Sequence, residues 1–283
     1  MRAVVGIVSS KGNLDPELKQ DLSSLLDKLK VNFLFLEYDQ GIFTLNDEEV
    51  QVIKYLSAGA VIRFKHYGKL ISRLDLVILN TPEDLGGYFS CLKIPYCGLD
   101  SGQYHWLSDR EYFKLILKKL DLEVIKGKVI KLEKLISSSD EIHKIADKLG
   151  YPLSDGENIY KDENELDAGL EKIAIKQRLV MLQPELQGER SQLGYLGTED
   201  NYYFSKIDDA ELNDKLKFIA LKVIGEFKLE GCFLFSFINY DNKVYLENID
   251  PAPKDFARTL WAHSDVPLED LTAQLIRVAQ KKF

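Results

Sequence analysis

Two carboxylates and an amide lie close together near the end of this 283-residue chain. Glu247, Asn248 and Asp250 end an apolar run. A second apolar run, 231–238, comes before them, and the polar segment 239–242 separates the two runs. This arrangement predicts a β-hairpin whose second strand ends in a proline-rich loop.

Aromatic residues alternate along the first strand of this hairpin. Phe233, Phe235 and Phe237 share one face, and alternate aromatic side chains on a strand usually pack in the core. The pattern therefore predicts that these three residues are buried and that Asp250 and Pro251 form a turn.

The histidines and cysteines are isolated in sequence. His105 and His263 have no carboxylate or serine at the spacing of a catalytic triad, and the cysteines show no CxxC spacing. We therefore expect neither a zinc site nor a disulfide framework. A sparse, odd number of cysteines predicts reduced thiols in a cytoplasmic protein.

Composition excludes further classes of protein. The length predicts two or three packed units, and a net charge of −8 provides no basic surplus to neutralise the phosphates of a nucleic acid. The apolar run 3–8 is too short for the core of a signal peptide and far too short to span a bilayer. We therefore expect no nucleic-acid partner and no membrane association.

The elements that position these residues begin with alternating strand and helix patterns. Continuous apolar runs predict buried strands at 3–8, 31–36 and 74–79. Leucines at helical spacing predict a helix over 15–29, and we also predict a helix over 48–56 and a strand over 60–64. Strands that alternate with helices indicate a parallel sheet covered by helices.

Shorter elements follow after residue 98. The predicted helices lie at 108–120 or 109–120, 139–149, 210–227 and 268–281, and a strand is predicted at 129–132. The hairpin lies between the last two of these helices.

These segments together resemble D-alanine–D-alanine ligases, members of the ATP-grasp superfamily. The hairpin resembles the family's metal-binding hairpin, and 92–98 is similar to the turn that leaves its N-terminal domain. Segment 149–153 resembles the start of its central ATP-binding strands, and 267–276 resembles its last helix. The resemblance implies an α/β fold with a three-part ATP-grasp architecture. Its parts would be a parallel-sheet, Rossmann-like N-terminal domain (1–98), a small central α+β domain (99–184) and a C-terminal α+β domain (185–283).

The resemblance implies that most of the metal site is lost. In the family, an Asp on the first strand and a Glu-x-Asn on the second hold the magnesium ions that bridge the ATP phosphates. Phe235, Asn248 and Asp250 occupy those positions here, so one carboxylate remains. Recruiting Glu247 by a shift of one residue would turn the inner face of the strand outward.

The nucleotide positions also differ from the family's pattern. Acidic segment 154–160 stands where the family has a phosphate-binding Lys and a Gly/Ser-rich loop. Arg110 occupies the position of another phosphate-binding Lys, and it keeps a positive charge there. Gln183 replaces a Glu that contacts adenine, and Arg190 replaces a Glu that binds the ribose.

The substrate positions show similar replacements. Phe233 takes the place of an Arg that stabilises an oxyanion, and Asn80 begins the segment that replaces a His-Gly pair. Thr259 and Leu260 fall where a Ser-Leu pair contacts the second substrate, and Glu17 falls where a Glu binds an ammonium group.

The resemblance leads us to expect a degenerate ligase that is catalytically inactive and acts by binding a small molecule or a protein, with no cofactor. One alternative is an active ATP-dependent carboxylate–amine ligase, D-alanine–D-alanine ligase itself, with ATP, magnesium and a displaced metal site. Another is a metal-free nucleotide binder that uses Gln183 and Arg110. Members of the family commonly form dimers through their N-terminal domains, so the resemblance leads us to expect a homodimer.

Overall fold

A computed structural model of the chain describes residues 2–45, 48–56, 59–63, 73–132, 139–156, 158–174 and 179–282. The chain divides into two compact units. The first unit comprises Met1–His105, Gln192–Ser236 and Asn248–Phe283, and the second comprises Trp106–Ser191 and Phe237–Glu247. The division into three domains at residues 98 and 184 stays a prediction.

The N-terminal part of the first unit contains a sheet of seven strands in the described part of the chain. In chain order these are β1 (Ala3–Ser10), β2 (Val31–Asp39), β3 (Ile42–Leu45), β4 (Glu48–Leu56), β5 (Gly59–Arg63), β6 (Leu76–Asn80) and β7 (Tyr96–Cys97). Their spatial order is β5-β4-β3-β2-β1-β6-β7. Strand β1 pairs in parallel with β2 and β6, and β6 pairs in parallel with β7, as the alternating pattern predicts.

The helix predicted over 48–56 is wrong. This segment is β4, which pairs antiparallel with β3 and with β5. Its sequence contains Val50, Val52 and Tyr55, which suit a pleated strand as well as a helix, and the flanking hairpins decide between the two. The N-terminal sheet is therefore mixed, with a parallel centre and an antiparallel edge.

Short helices accompany this sheet. They are α1 (Pro16–Ser24), α2 (Leu26–Leu29), α3 (Gly86–Cys91) and α4 (Ser101–Ser108), of which the sequence predicts the first two as one helix. Helix α1 begins after Asp15, whose carboxylate accepts the N–H of Leu18 at 2.8 Å. Helix α4 was not predicted, and Gln103 on it donates to the carbonyl oxygens of Phe227 and Lys228.

The second unit contains a four-stranded sheet and three helices in its described part. The elements are α5 (Arg110–Lys119), β8 (Lys128–Lys131), α6 (Ser139–Leu149), β9 (Leu153–Ser154), β10 (Ile159–Tyr160), α7 (Glu163–Ala174) and β11 (Leu179–Pro184), with the strand order β10-β9-β11-β8. Asp109 caps α5 by accepting the N–H groups of Glu111 and Tyr112, which confirms the predicted start of that helix.

A third sheet has the strand order β13-β12-β14-β15. Its strands are β12 (Glu189–Thr198), β13 (Asn201–Phe204), β14 (Gly231–Tyr240) and β15 (Lys243–Asp250), and the accompanying helices are α8 (Ala210–Phe227), α9 (Arg258–His263) and α10 (Leu268–Lys281). Helices α8 and α10 and both hairpin strands lie where the sequence predicts them. In the first unit, buried residues of β1, α1, β6, α9 and α10 form one apolar cluster. Among the described residues, none of the helices is long and apolar enough to cross a membrane.

Candidate functional site

The predicted hairpin is present. Strands β14 and β15 are neighbours in the sheet, and Asp241 and Asn242 between them both have positive φ, at 52° and 57°. Positive φ at both central residues is what a two-residue type I′ turn requires, and Asp and Asn adopt it more readily than most residues. Phe235 and Asp250 therefore lie on adjacent strands, as the family resemblance implies.

The alternating aromatic residues of β14 are core residues. Phe233, Phe235 and Phe237 are exposed to solvent by 1%, 0% and 1% respectively. The Phe233 ring stacks on Tyr195, with ring centroids 6.2 Å apart and planes at 28°. The burial predicted from the alternating pattern is confirmed, and none of these side chains offers an oxygen or nitrogen to a ligand.

The Asp250 carboxylate closes a turn. Its Oδ1 accepts the N–H of Ala252 at 2.9 Å, which confirms the turn predicted at Asp250 and Pro251. Partial burial raises the pKa of Asp250, and the hydrogen bond from Ala252 opposes that shift. Asn248, two residues earlier on β15, is exposed.

The structure brings Arg110 and Gln183 together in the second unit. Both line a narrow cavity between α5, β11 and the middle of β15, and the further residues of its wall include Lys114, Leu246 and Glu247. The free space is about 10 Å³, which is room for about one water molecule. Donors suited to an anion are therefore present, but a nucleotide base fits only if the walls separate.

Lys114 is a central residue of this cavity that the sequence analysis missed. Its ammonium group donates to Gln183 Oε1 at 2.7 Å and to the Ile125 carbonyl at 2.8 Å. Burial, followed by repulsion from Arg110 and Lys118, lowers the pKa of Lys114 to about 8. A signal was available, since Lys114 follows Arg110 by four residues and therefore lies on the same helix face.

Arg190 has a structural role in the described part of the chain. It bridges two carboxylates, with its Nη2 on Glu185 and its Nε 3.4 Å from Glu247. Burial raises the pKa of Glu247, while the Arg190 guanidinium lowers it. The positive charge of Arg190 thus balances the negative charges of Glu185 and Glu247.

A closed turn replaces the phosphate-binding loop that the family resemblance leads one to expect. Strands β9 and β10 pair at Leu153 with Tyr160 and at Ser154 with Ile159. The carboxylate of Asp155 accepts the N–H of Asn158 at 2.6 Å and the Tyr160 hydroxyl at 2.5 Å. A Cβ atom on Gly156 would lie 2.7 Å from Arg110 Nη2, so this turn packs directly against that guanidinium.

The candidate substrate residues of the first unit lie on two linked helices. Glu17 is exposed in the first turn of α1, Thr259 is exposed on α9, and Leu260 beside it is half-buried. Arg258 Nη2 lies 2.5 Å from Asp21 Oδ2, and this ion pair joins α9 to α1. Phe233, the fourth predicted residue, is buried and does not belong to this exposed group.

Asn80 is a further polar residue at the end of the parallel sheet. It is 1% exposed, and neither Oδ1 nor Nδ2 has a hydrogen-bond partner among the described residues. Its carbonyl accepts from Asn13 Nδ2 at 2.9 Å, and Ser10 lies 2.9 Å from Thr81 between their hydroxyl oxygens. After β1 the chain continues to β2 on one side of the β1–β6 pair, and after β6 it continues to β7 on the other side. Open α/β sheets bind ligands at the carboxyl ends of two neighbouring strands whose connections diverge in this way.

The histidines do not form a catalytic triad among the described residues. Asp84 accepts the Ser101 hydroxyl at 2.8 Å and lies 3.6 Å from His105, so the carboxylate is the central group. A serine nucleophile needs a histidine in that position to remove its proton. His263 is exposed at the end of α9.

No family model matches the sequence, and no curated protein matches it. Solved structures do match the fold. The D-alanine–D-alanine ligase of Coxiella burnetii superposes with a TM-score of 0.74 at 16% sequence identity, covering 99% of this chain and 96% of that chain. The enzyme of Helicobacter pylori gives 0.70 at 17% identity, covering 99% of each chain. That of Bacillus anthracis, solved in complex with ATP, gives 0.72 at 14% identity, covering 99% of this chain and 98% of that chain.

The chain has the fold of the D-alanine–D-alanine ligases. The α/β class and the three-part ATP-grasp architecture expected from the sequence are confirmed by this full-length match.

The described residues do not fit the magnesium site that the D-alanine–D-alanine ligase fold implies. Phe235 is buried and apolar, and one oxygen of Asp250 is already engaged by a backbone N–H. Within the described ranges, no group of three or more His, Cys, Asp or Glu side chains is placed to hold a metal ion.

Proposed function

We propose that this protein is a degenerate D-alanine–D-alanine ligase-like protein that acts by binding and does not catalyse ATP-dependent ligation. The observation that carries the proposal is the burial of Phe233 and Phe235 in the core. The family resemblance expects an oxyanion-stabilising Arg and a metal-binding Asp at these positions. A buried phenylalanine can neither coordinate magnesium nor neutralise a developing negative charge.

The phosphate side supports the same proposal. Phosphoryl transfer depends on positioning and on neutralising the charge of the phosphates. The turn after β9 is closed by the acidic side chain of Asp155, and it packs against Arg110, one of the cations of the cavity. Each lost stabilising group commonly reduces the rate by a hundredfold or more, and these losses affect one transition state.

Metal-free nucleotide binding is a second candidate function. Gln183 and Arg110 line the same cavity, and Lys114 adds an ammonium group hydrogen-bonded to Gln183. In this cavity the Gln183 amide would hydrogen-bond a base, and the cations Arg110 and Lys114 would contact a phosphate. Such binding would require the cavity to open and would not depend on magnesium.

A phosphate-release assay with D-alanine and Mg-ATP tests the proposal. We expect no release above the background hydrolysis of ATP, while an active D-alanine–D-alanine ligase assayed in parallel releases phosphate. Turnover that depends on D-alanine and is abolished by Asp250→Ala would contradict the proposal and support an active ligase with a displaced metal site.

We further propose a cytoplasmic homodimer. The three cysteines are free, with Cys97 and Cys232 buried and Cys91 exposed, which suits a reducing compartment. Closed two-fold dimers are the commonest oligomers of soluble proteins.

A further inference from the structure

A second, larger pocket in the second unit also borders Lys114. Its volume is about 510 Å³, within the range of small-molecule sites. Residues of helix α5, the segment 124–127 and Met181 of β11 line it. Lys114 therefore borders both this pocket and the narrow cavity that contains Arg110 and Gln183.

The pocket has a marked excess of positive charge. Lys114, Lys118 and Lys126 line it together with one acidic residue, Glu111. Within the described residues, none of the three lysines forms an ion pair with a carboxylate. Glu111 is exposed at the start of α5, where the N–H groups of the first helical turn favour its charge.

Lys114 is the deepest of the three cations and is incompletely satisfied. A protonated lysine has three N–H donors, and the described acceptors, Ile125 O and Gln183 Oε1, engage two of them. Both acceptors are neutral, so the ammonium is half-buried without a counter-ion. Burial and repulsion from Arg110 and Lys118 lower the pKa of Lys114. A buried charge of this kind is stabilised by an anion more than an exposed lysine is.

The remaining wall of the pocket is apolar. Val124, Ile125, Leu115 and Met181 line it, and Leu115 is 60% exposed at the rim. Gly127 permits the close approach at the base, because a Cβ there would lie 2.8 Å from Lys114 Nζ. An ammonium group at the base with apolar side chains beside it matches a ligand that has one anionic end and one apolar end.

We propose that this pocket binds a small organic anion, a phosphate or carboxylate attached to a compact apolar group, with Lys114 as its anchor. Lys118 and Lys126 attract the anion from the rim, and Leu115, Val124 and Met181 contact its apolar part. The site does not use the hairpin residues and does not depend on the absence of ligase activity.

Calorimetry with three probes tests separately whether the anionic group and the apolar group of the ligand contribute to binding. Phenyl phosphate carries both groups, inorganic phosphate lacks the ring, and phenol lacks the charge. We expect phenyl phosphate to bind at least about tenfold more tightly than either of the other two. Phenol or inorganic phosphate binding as tightly as phenyl phosphate would overturn the proposed ligand class, and no measurable binding of phenyl phosphate would overturn the site.

Two variants locate the binding. Lys114→Met removes the anchor, and we expect it to weaken phenyl phosphate binding at least about tenfold. Because Lys114 also supports the fold, the exposed double variant Lys118→Glu/Lys126→Glu provides a second test, and it should also weaken binding. Lys222→Met and the double variant Lys215→Glu/Lys222→Glu, on α8 outside the pocket, make the same changes in charge and should leave the affinity unchanged. Affinity that survives both pocket variants would place the ligand elsewhere and overturn the proposal.

The pH dependence gives a separate readout. Phenyl phosphate is fully ionised above about pH 7, so a change at higher pH comes from the protein. The pKa of Lys114 is lowered to about 8, and the other charged groups around it are Lys118, Lys126, Arg110 and Glu111. We expect affinity to fall between about pH 8 and pH 10 in the native protein and to be flat in Lys114→Met. A flat profile in the native protein would remove Lys114 as the anchor.

Discussion

Position 235 is the best place to test whether this region is a packed core or a metal site, because an aspartate is expected there in the ligase family. If this position faced an open, water-filled cleft, Asp would be tolerated. Phe235 is fully buried, so Phe235→Asp should lower the free energy of unfolding by at least about 4 kcal/mol, through lost packing and a buried charge. Phe235→Leu should cost about 1–2 kcal/mol.

Urea denaturation measures these changes. Phe218→Asp on α8 is the matched control, since Phe218 is 59% exposed and its replacement should change stability by less than about 1 kcal/mol. An equally small effect at Phe235 would show that the position is open to solvent.

Lys114 should make stability depend on pH in an alkaline window. Its pKa is lowered to about 8 in the folded protein from an ordinary value of 10.5, so between these values the unfolded chain binds more protons. Stability should therefore rise with pH across that window, by an amount on the order of 1–3 kcal/mol. The check is the difference in unfolding free energy between native protein and Lys114→Met, measured at pH 7.5 and pH 10. A difference that does not change with pH would contradict the lowered pKa.

Replacement by glycine at two positions of helix α8 should change the free energy of unfolding in opposite directions. Lys228 caps its C-terminal end with φ of 51°, in the left-handed region that glycine adopts without a Cβ penalty. Lys228→Gly should raise the free energy of unfolding by about 0.5–1 kcal/mol. Lys215→Gly, exposed in the interior of the same helix, should lower it by about 1 kcal/mol. Thermal unfolding of both variants provides the measurement, and a loss of stability in both would contradict the assigned cap.

Long periodic elements could be predicted from the sequence because local pattern and burial agree in them. Helices α8 and α10 and the hairpin β14–β15 are of this kind. Strand β4 could not be predicted from its own residues, because antiparallel pairing with β3 and β5 decides its conformation. Helix α4 was missed for a related reason, since contacts of Gln103 with the end of α8 support it.

The candidate site was only partly predictable. Burial of the β14 aromatic residues and the turn at Asp250 followed from alternation and from the proline that comes next. Arg110 and Gln183 came from a family resemblance, and the structure places them in one cavity. The position of Lys114 on the same helix face as Arg110 could be read from the sequence, but its burial could not, because the segment 124–127 folds against it.

The assembly of the whole molecule gives a further prediction. We expect light scattering at micromolar concentration to give twice the chain mass of 32.4 kDa. Each chain carries a net charge of −8, so added salt should favour the dimer by screening the repulsion between two acidic chains. A mass near 32.4 kDa at every salt concentration would contradict the homodimer.

How far magnesium changes the affinity for ATP shows whether this chain keeps a metal site within its ligase fold. Titration calorimetry with ATP should be run with magnesium and with a chelator, on the native protein and on Asp250→Ala. We predict no magnesium-dependent affinity tighter than roughly 1 mM, about 4 kcal/mol of binding free energy, and the same result for both proteins. ATP binding that magnesium tightens well below 1 mM, and that Asp250→Ala abolishes, would contradict the account.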